Sequence, residues 1–172
     1  MHLLERSQTI AAPISEAFAF FSRPENLARI TPPELRLRIA GRAPESLFEG
    51  ARLTYRIRWV VLPLAWKTLI TRWDPPREFQ DRQERGPYRF WLHTHRFAPS
   101  PGGETLMQDR VEYELPLGPL GRAVDRLFVR RQLEATFDYR ARAVARIFPR
   151  RPDAEGTTPR QAPGPPFARP DA

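Results

Sequence analysis

The sequence predicts an α+β fold: one curved antiparallel sheet of about seven strands wrapped around a long C-terminal helix, with two short helices after the first strand. Three observations carry this. Apolar and polar residues alternate with a period of two in consecutive runs from Leu35 to Leu115, the mark of half-buried strands. Ile14, Ala17, Phe18 and Phe21 share one helical face right after the first extended run. Beyond Pro116, Gly118, Pro119 and Gly121, helical patterning continues from about residue 119 to 148.

Residues 2–10 form the first strand, with Leu3, Leu4 and Ile10 as its apolar content, and Pro13 stands where a helix's first turn tolerates it. Arg23–Pro24 breaks that helix, Glu25–Ile30 adds a turn or two, and Thr31-Pro32-Pro33 prevents continuation. Leu35, Leu37 and Ile39 alternate with Arg36 and Arg38 in a strand ending near Gly41. Over 52–59, Leu53, Tyr55, Ile57 and Trp59 share a face opposite Arg52, Thr54, Arg56 and Arg58. A hairpin centred on Leu62–Pro63 then places Trp66, Thr68 and Ile70 opposite Trp59, Ile57 and Tyr55, and Asp74-Pro75-Pro76 makes the next turn. In the final helix the apolar positions 120, 124, 127 and 128 are rotated from 133, 137, 141, 144 and 148, which predicts a kink or two separate packing partners.

The functional signal lies in Phe79–Phe97. Two strands, Phe79–Glu84 and Tyr88–Phe97, meet at Gly86–Pro87. Their inward faces carry Phe79, Asp81 and Gln83, and then Trp91, His93, His95 and Phe97; the face with Gln80, Arg82 and Glu84 is solvated. A loop over Ala98–Gly103 and a strand over Thr105–Leu115 bring Asp109 beside His93, Met107 beside His95 and Val111 opposite Trp91, with Tyr113 further along the same face. Carboxylate, amide and imidazole on an inward face imply a lined cavity, because each buried polar group left without a partner costs about 1–3 kcal/mol. Either these groups satisfy one another or a ligand completes them.

Composition narrows the function further. A length of 172 residues with 41% hydrophobic content suits one domain and one core. The absence of cysteine excludes disulfides, thiolate metal sites and cysteine nucleophiles. The charged N-terminus lacks a signal-peptide core and no window approaches a membrane span, so a soluble cytoplasmic protein is expected. The net charge of +8 comes from arginines interleaved with 20 acids, and no nucleic-acid motif accompanies it. No nucleic-acid partner is expected, and a basic rim for an acidic ligand or membrane surface fits better. Seven prolines among residues 149–172 mark a disordered tail, leaving 1–148 as the domain. No dinucleotide glycine fingerprint, phosphate loop, nucleophile elbow or repeat occurs.

Asn26-Leu27, Ile30-Thr31-Pro32-Pro33, Trp66, Thr68, Phe79, Asp81, Gln83 and Gly86-Pro87-Tyr88, followed by Trp91, His93, His95, Phe97, Asp109, Tyr113 and Pro116, form a pattern. It resembles the SRPBCC superfamily, the START-like or birch-pollen-allergen-like helix-grip proteins, and more narrowly the small bacterial ligand-binding SRPBCC domain group. The resemblance covers residues 1 to about 148 and implies a cavity under the long helix that takes a lipid, polyketide, quinone or sterol-like molecule. The expected function is binding of a small hydrophobic or aromatic ligand by Tyr55, Trp66, Thr68, Asp81, Gln83, Trp91, His93, His95, Asp109 and Tyr113. The aromatic content favours a flat or ring-bearing ligand over an acyl chain. The first alternative is an enzyme of the polyketide cyclase or dehydratase type, with His93 or His95 as general base tuned by Asp109 or Asp81. The second is a protein-interaction module with no functional ligand. His93-x-His95 offers two metal ligands from one strand face, with Asp109 or Asp81 as a third, but the spacing to that third ligand is undefined and the histidines and carboxylates can satisfy one another, so neither metal nor cofactor is expected. The apolar tip Val60–Ala65 suits three roles: covering the cavity mouth, touching a membrane surface, or meeting a protein or neighbouring subunit.

Overall fold

A computed structural model of the chain describes residues 1–59, 62–116, 118, 121 and 124–150. Strand β1 (His2–Ile10) leads into helix α1 (Ile14–Ser22), a 3₁₀ segment over Pro24–Ile30 and a single 3₁₀ turn at Pro33–Leu35. Strands β2 (Arg38–Ile39), β3 (Arg52–Trp59), β4 (Leu62–Asp74), β5 (Glu78–Arg85), β6 (Phe90–Ser100) and β7 (Glu104–Glu114) come next. A π-helical turn, Asp125–Val129, then enters helix α2 (Arg130–Ile147). The seven strands form one sheet in the order β1-β7-β6-β5-β4-β3-β2, antiparallel throughout. The α+β helix-grip architecture is the one the sequence predicts.

Aromatic packing fixes α1 on the sheet. Phe18 meets Trp73, Phe79 and Phe97 at ring-centroid distances of 5.1, 5.9 and 5.4 Å. Phe20, off the predicted face, is buried because it packs on Phe148 after α2, 5.4 Å away. Asn26 donates to the Phe20 carbonyl at 2.9 Å, tying the 3₁₀ segment to the end of the helix. The alternating burial of β7, with Thr105, Met107, Asp109, Val111 and Tyr113 inward, comes directly from its pleat.

Four expectations need correction. The strand over 35–39 shrinks to Arg38–Ile39, because Pro33 starts a 3₁₀ turn and Arg36 closes it in the left-handed conformation (φ 46°). The β3–β4 hairpin closes between Trp59 and Leu62, so Trp66 faces Tyr55 and Thr68 faces Leu53, a shift of four residues that preserves the inward face. Strand β6 runs on to Ser100 and turns at Pro101–Gly103, so Asp109 pairs with His95, Val111 with His93 and Met107 with Phe97, two residues from the expected register. Among the first apolar set of the long helix, Leu127 and Phe128 are 61% and 59% exposed while Asp125 and Val129 are buried.

The predicted change of face in the long helix has a physical device. The π-helical turn inserts one extra residue per turn and rotates the helix beyond it, so Phe137, Ala143 and Val144 of α2 face the sheet. Buried Asp125 accepts a 2.8 Å hydrogen bond from the Tyr113 hydroxyl and lies 3.1 Å from His2 Nδ1, which pins the turn to β7 and β1. Among the described residues no helix is long and apolar enough to cross a membrane. Val60 and Val61 of the apolar tip, and all of the proline-rich tail beyond Arg150, lie outside the described residues.

Candidate functional site

Three neighbouring strands deliver the site. Asp81 on β5 stands opposite His93 on β6, and His95 stands opposite Asp109 on β7, all on the inward face. Asp109 Oδ1 lies 2.9 Å from His93 Nε2, a hydrogen bond, and 2.8 Å from His95 Nδ1, a contact too poorly aligned to be one. The opposite ring nitrogens, His93 Nδ1 and His95 Nε2, each lie 3.5 Å from Asp81 Oδ2. The imidazoles thus sit between two carboxylates, their centroids 3.8 Å apart, with His95 stacked on Phe79 at 4.2 Å.

Burial penalises every charge here, and the partners decide the outcome. Burial pushes the Asp109 carboxyl up, but the two histidines outweigh it and hold the group well below the usual carboxylate range. Asp81 is held low in the same way by His95, His93 and Arg140, against the same upward push of burial. Burial, helped by the charge of His95, pushes His93 down against the pull of both aspartates, whereas those aspartates overcome burial and raise His95. The two imidazoles are thus biased in opposite senses, His93 toward its neutral form and His95 toward its charged form.

The signs give a pH prediction. Both carboxylates have folded pKa values below their unfolded ones, so their stabilisation is complete above about pH 4 and is lost as the pH falls through the folded values. His93, also lowered, acts in the same sense with its upper limit at about pH 6.5. His95 acts oppositely: its contribution is complete below about pH 6.5 and is lost as the pH rises through its raised folded value. The urea midpoint should decline on both sides of about pH 6.5, and His95→Gln should remove the decline on the alkaline side. An unchanged alkaline limb in that variant would show that the proton does not reside on His95.

A cavity of about 170 Å³ lies between the sheet and α2. Trp66, Trp91, Tyr55 and Phe79 make much of its apolar wall, and Asp81, His93 and His95 make a polar pole. Helix α2 adds Gln132, Thr136, Phe137 and Arg140. The half-buried Leu35 and Leu37 and the exposed Arg23 mark where it meets solvent. Arg140 Nε and Trp66 Nε1 are both buried without a hydrogen-bond partner among the described residues.

Of the ten residues expected to bind ligand, Tyr55, Trp66, Thr68, Asp81, Trp91, His93 and His95 line the cavity. Three do not. Asp109 lies behind the histidines. Gln83 donates to the Tyr88 carbonyl at 2.7 Å and closes the Gly86–Pro87 turn, where a side chain at Gly86 would collide with its amide. Tyr113 gives its hydroxyl proton to Asp125 and packs in the core. Arg140 is the residue that sequence reasoning missed. Its signal was available: Gln132, Thr136 and Arg140 recur every four residues beside the apolar stripe of Leu133, Phe137 and Val144.

The family model for polyketide cyclase / dehydrase and lipid transport matches residues 1–148. Among solved structures, a START superfamily protein from Mycobacterium smegmatis superposes with a TM-score of 0.65 at 15% identity, covering 86% of this chain and 99% of that one. A Chromobacterium violaceum protein gives 0.63 at 14% identity, with 85% and 96% coverage. Norcoclaurine synthase from Thalictrum flavum, solved with dopamine and hydroxybenzaldehyde, gives 0.59 at 17% identity, with 84% and 87% coverage. At these identities the superpositions establish the fold alone. No curated protein matches the sequence.

Proposed function

We propose that this chain, which belongs to the polyketide cyclase / dehydrase and lipid transport family, binds a small ring-bearing compound with one or more acceptor oxygens in the cavity beneath α2. The observation that carries this reading is the pair of unpartnered buried donors, Arg140 Nε and Trp66 Nε1, on residues from two walls of a cavity lined by aromatic and aliphatic side chains. Each orphaned donor costs about 1–3 kcal/mol, which an acceptor oxygen on a ligand recovers. Size narrows the ligand class: an engineered cavity of about 150 Å³ accepts benzene, so 170 Å³ suits one ring and its substituents. A sterol or long acyl chain requires the walls to move.

The binding test is a thermal-shift and titration series over phenols, hydroxyaromatic acids and cyclic ketones. A compound at a hundred times its Kd should stabilise the protein by about 2.7 kcal/mol. Arg140→Met should weaken its binding about 10- to 100-fold, the equivalent of one charged hydrogen bond. Failure of the whole series, or equal affinity in the Arg140 variant, would remove the support for this ligand class.

A second reading, a cyclase- or dehydratase-like enzyme, is favoured by one feature. The Asp109–His93 pair at 2.9 Å orients an imidazole whose other nitrogen faces Asp81 at the cavity wall, an arrangement suited to a general base. Once a bound compound is identified, His93→Gln separates the readings: retained binding with lost turnover of that compound marks catalysis.

A further inference from the structure

We propose that Asp81, His93 and His95 form a binding site for one divalent transition-metal ion, with Asp109 hydrogen-bonded to His93 and close behind His95. The sequence alone argues against a metal, because His93-x-His95 has no defined spacing to a third ligand and leaves Asp81 and Asp109 as alternatives. The fold selects Asp81, which β5 sets opposite His93 on the cavity side, while Asp109 lies behind the histidines.

Distance is the first argument. His93 Nδ1 and His95 Nε2 each stand 3.5 Å from Asp81 Oδ2, beyond the length of a charge-assisted hydrogen bond. Two atoms bound tetrahedrally to one ion at about 2.0–2.1 Å stand about 3.4 Å apart. One ligand atom from each residue lies within 4.8 Å of the others, so small side-chain rotations complete the set.

Orientation is the second. A metal-ligating histidine commonly gives its other ring N–H to a carboxylate, and His93 Nε2 is hydrogen-bonded to Asp109 Oδ1 at 2.9 Å, which for His93 selects the tautomer whose lone pair faces Asp81. His95 Nδ1 lies 2.8 Å from the same oxygen, so a small rotation of that ring completes the same arrangement. Charge is the third, for one dication matches two carboxylates when both imidazoles are neutral. Asp81, His93 and His95 line the cavity and Asp109 does not, so an open coordination position would face the ligand chamber. Two imidazoles and a carboxylate, with no sulfur, suit Zn²⁺, Fe²⁺ or Co²⁺ rather than a soft or a purely oxygen-seeking ion.

The probe is the metal alone, so the result does not depend on the organic ligand proposed above. Chelator-treated, tag-free full-length protein is titrated with Co²⁺, monitored by visible absorption, and with Zn²⁺, monitored by calorimetry. One equivalent should bind. Asp81→Asn and His95→Gln should each weaken it at least about tenfold and Asp109→Asn about 10- to 100-fold. His2→Gln should change nothing, because that histidine is paired with Asp125 and takes no part in the cluster. Circular dichroism checks each variant; should Asp109→Asn unfold, Asp81→Asn on the cavity wall still decides. Absence of binding to the folded wild type overturns the proposal, as does stoichiometric binding that Asp81→Asn and His95→Gln leave intact. Either failure leaves the organic-ligand reading standing, and a failure of that reading leaves metal binding intact.

Discussion

Asp109→Ala should lower the unfolding free energy by about 3–5 kcal/mol, the range found when one partner of a buried ion pair is removed. Asp109 is the group nearest both imidazoles, and only 5% of it is exposed. Without it the charged form of His95 has only Asp81, at 3.5 Å, as a counter-ion, and His93 loses its 2.9 Å hydrogen bond. Asp109→Asn keeps the volume and an acceptor, so its loss should be smaller. Urea denaturation at pH 7 measures both. A loss under about 1 kcal/mol for the alanine variant would mean that the cluster discharges its proton and relaxes, contrary to the electrostatics derived above.

Phe137→Ala should cost a similar 3–5 kcal/mol, the usual range for truncating a buried aromatic. Phe137 is the point where α2 rests on the polar pole: its ring meets His93 edge-to-face at 5.6 Å, and the Arg140 guanidinium lies 4.7 Å over it. The removed ring opens directly into the cavity. Two effects should therefore appear together, a lower melting temperature and acceptance of compounds one ring larger than the wild type binds. Lost stability without a change in ligand size would place Phe137 in the core alone.

Much of the fold is legible because period-two alternation is strong. Leu53, Tyr55 and Ile57 against Arg52, Thr54, Arg56 and Arg58 can be read only as a half-buried strand, and β3 is that strand. Register is harder to read. Val60–Val61 lacks every residue type that favours a two-residue hairpin tip, and Pro63 draws the expected turn to itself. In the structure Pro63 belongs to the first residues of β4, opposite Arg58. Ala98–Gly103 reads as a loop because proline, serine and glycine crowd it, yet β6 tolerates Pro99 and continues to Ser100. These slips are of two and four residues, both even, so the inward set survives.

The site is legible to the same depth. His93, His95, Asp81 and Asp109 share a face by parity alone, but which aspartate lies in the cavity and which behind it depends on strand order and side-chain direction. Arg140 escapes because an arginine on an amphipathic helix ordinarily faces solvent. Its buried, unpartnered Nε becomes visible only once α2 is laid across the sheet.

The most direct test is native mass spectrometry of the protein purified from its own host, then denaturation and identification of whatever is released. A stoichiometric compound of one substituted ring bearing an acceptor oxygen is the predicted result. A mass equal to that of the bare chain, together with no stabilisation by any ring compound, would contradict the claim that the cavity is a ligand site.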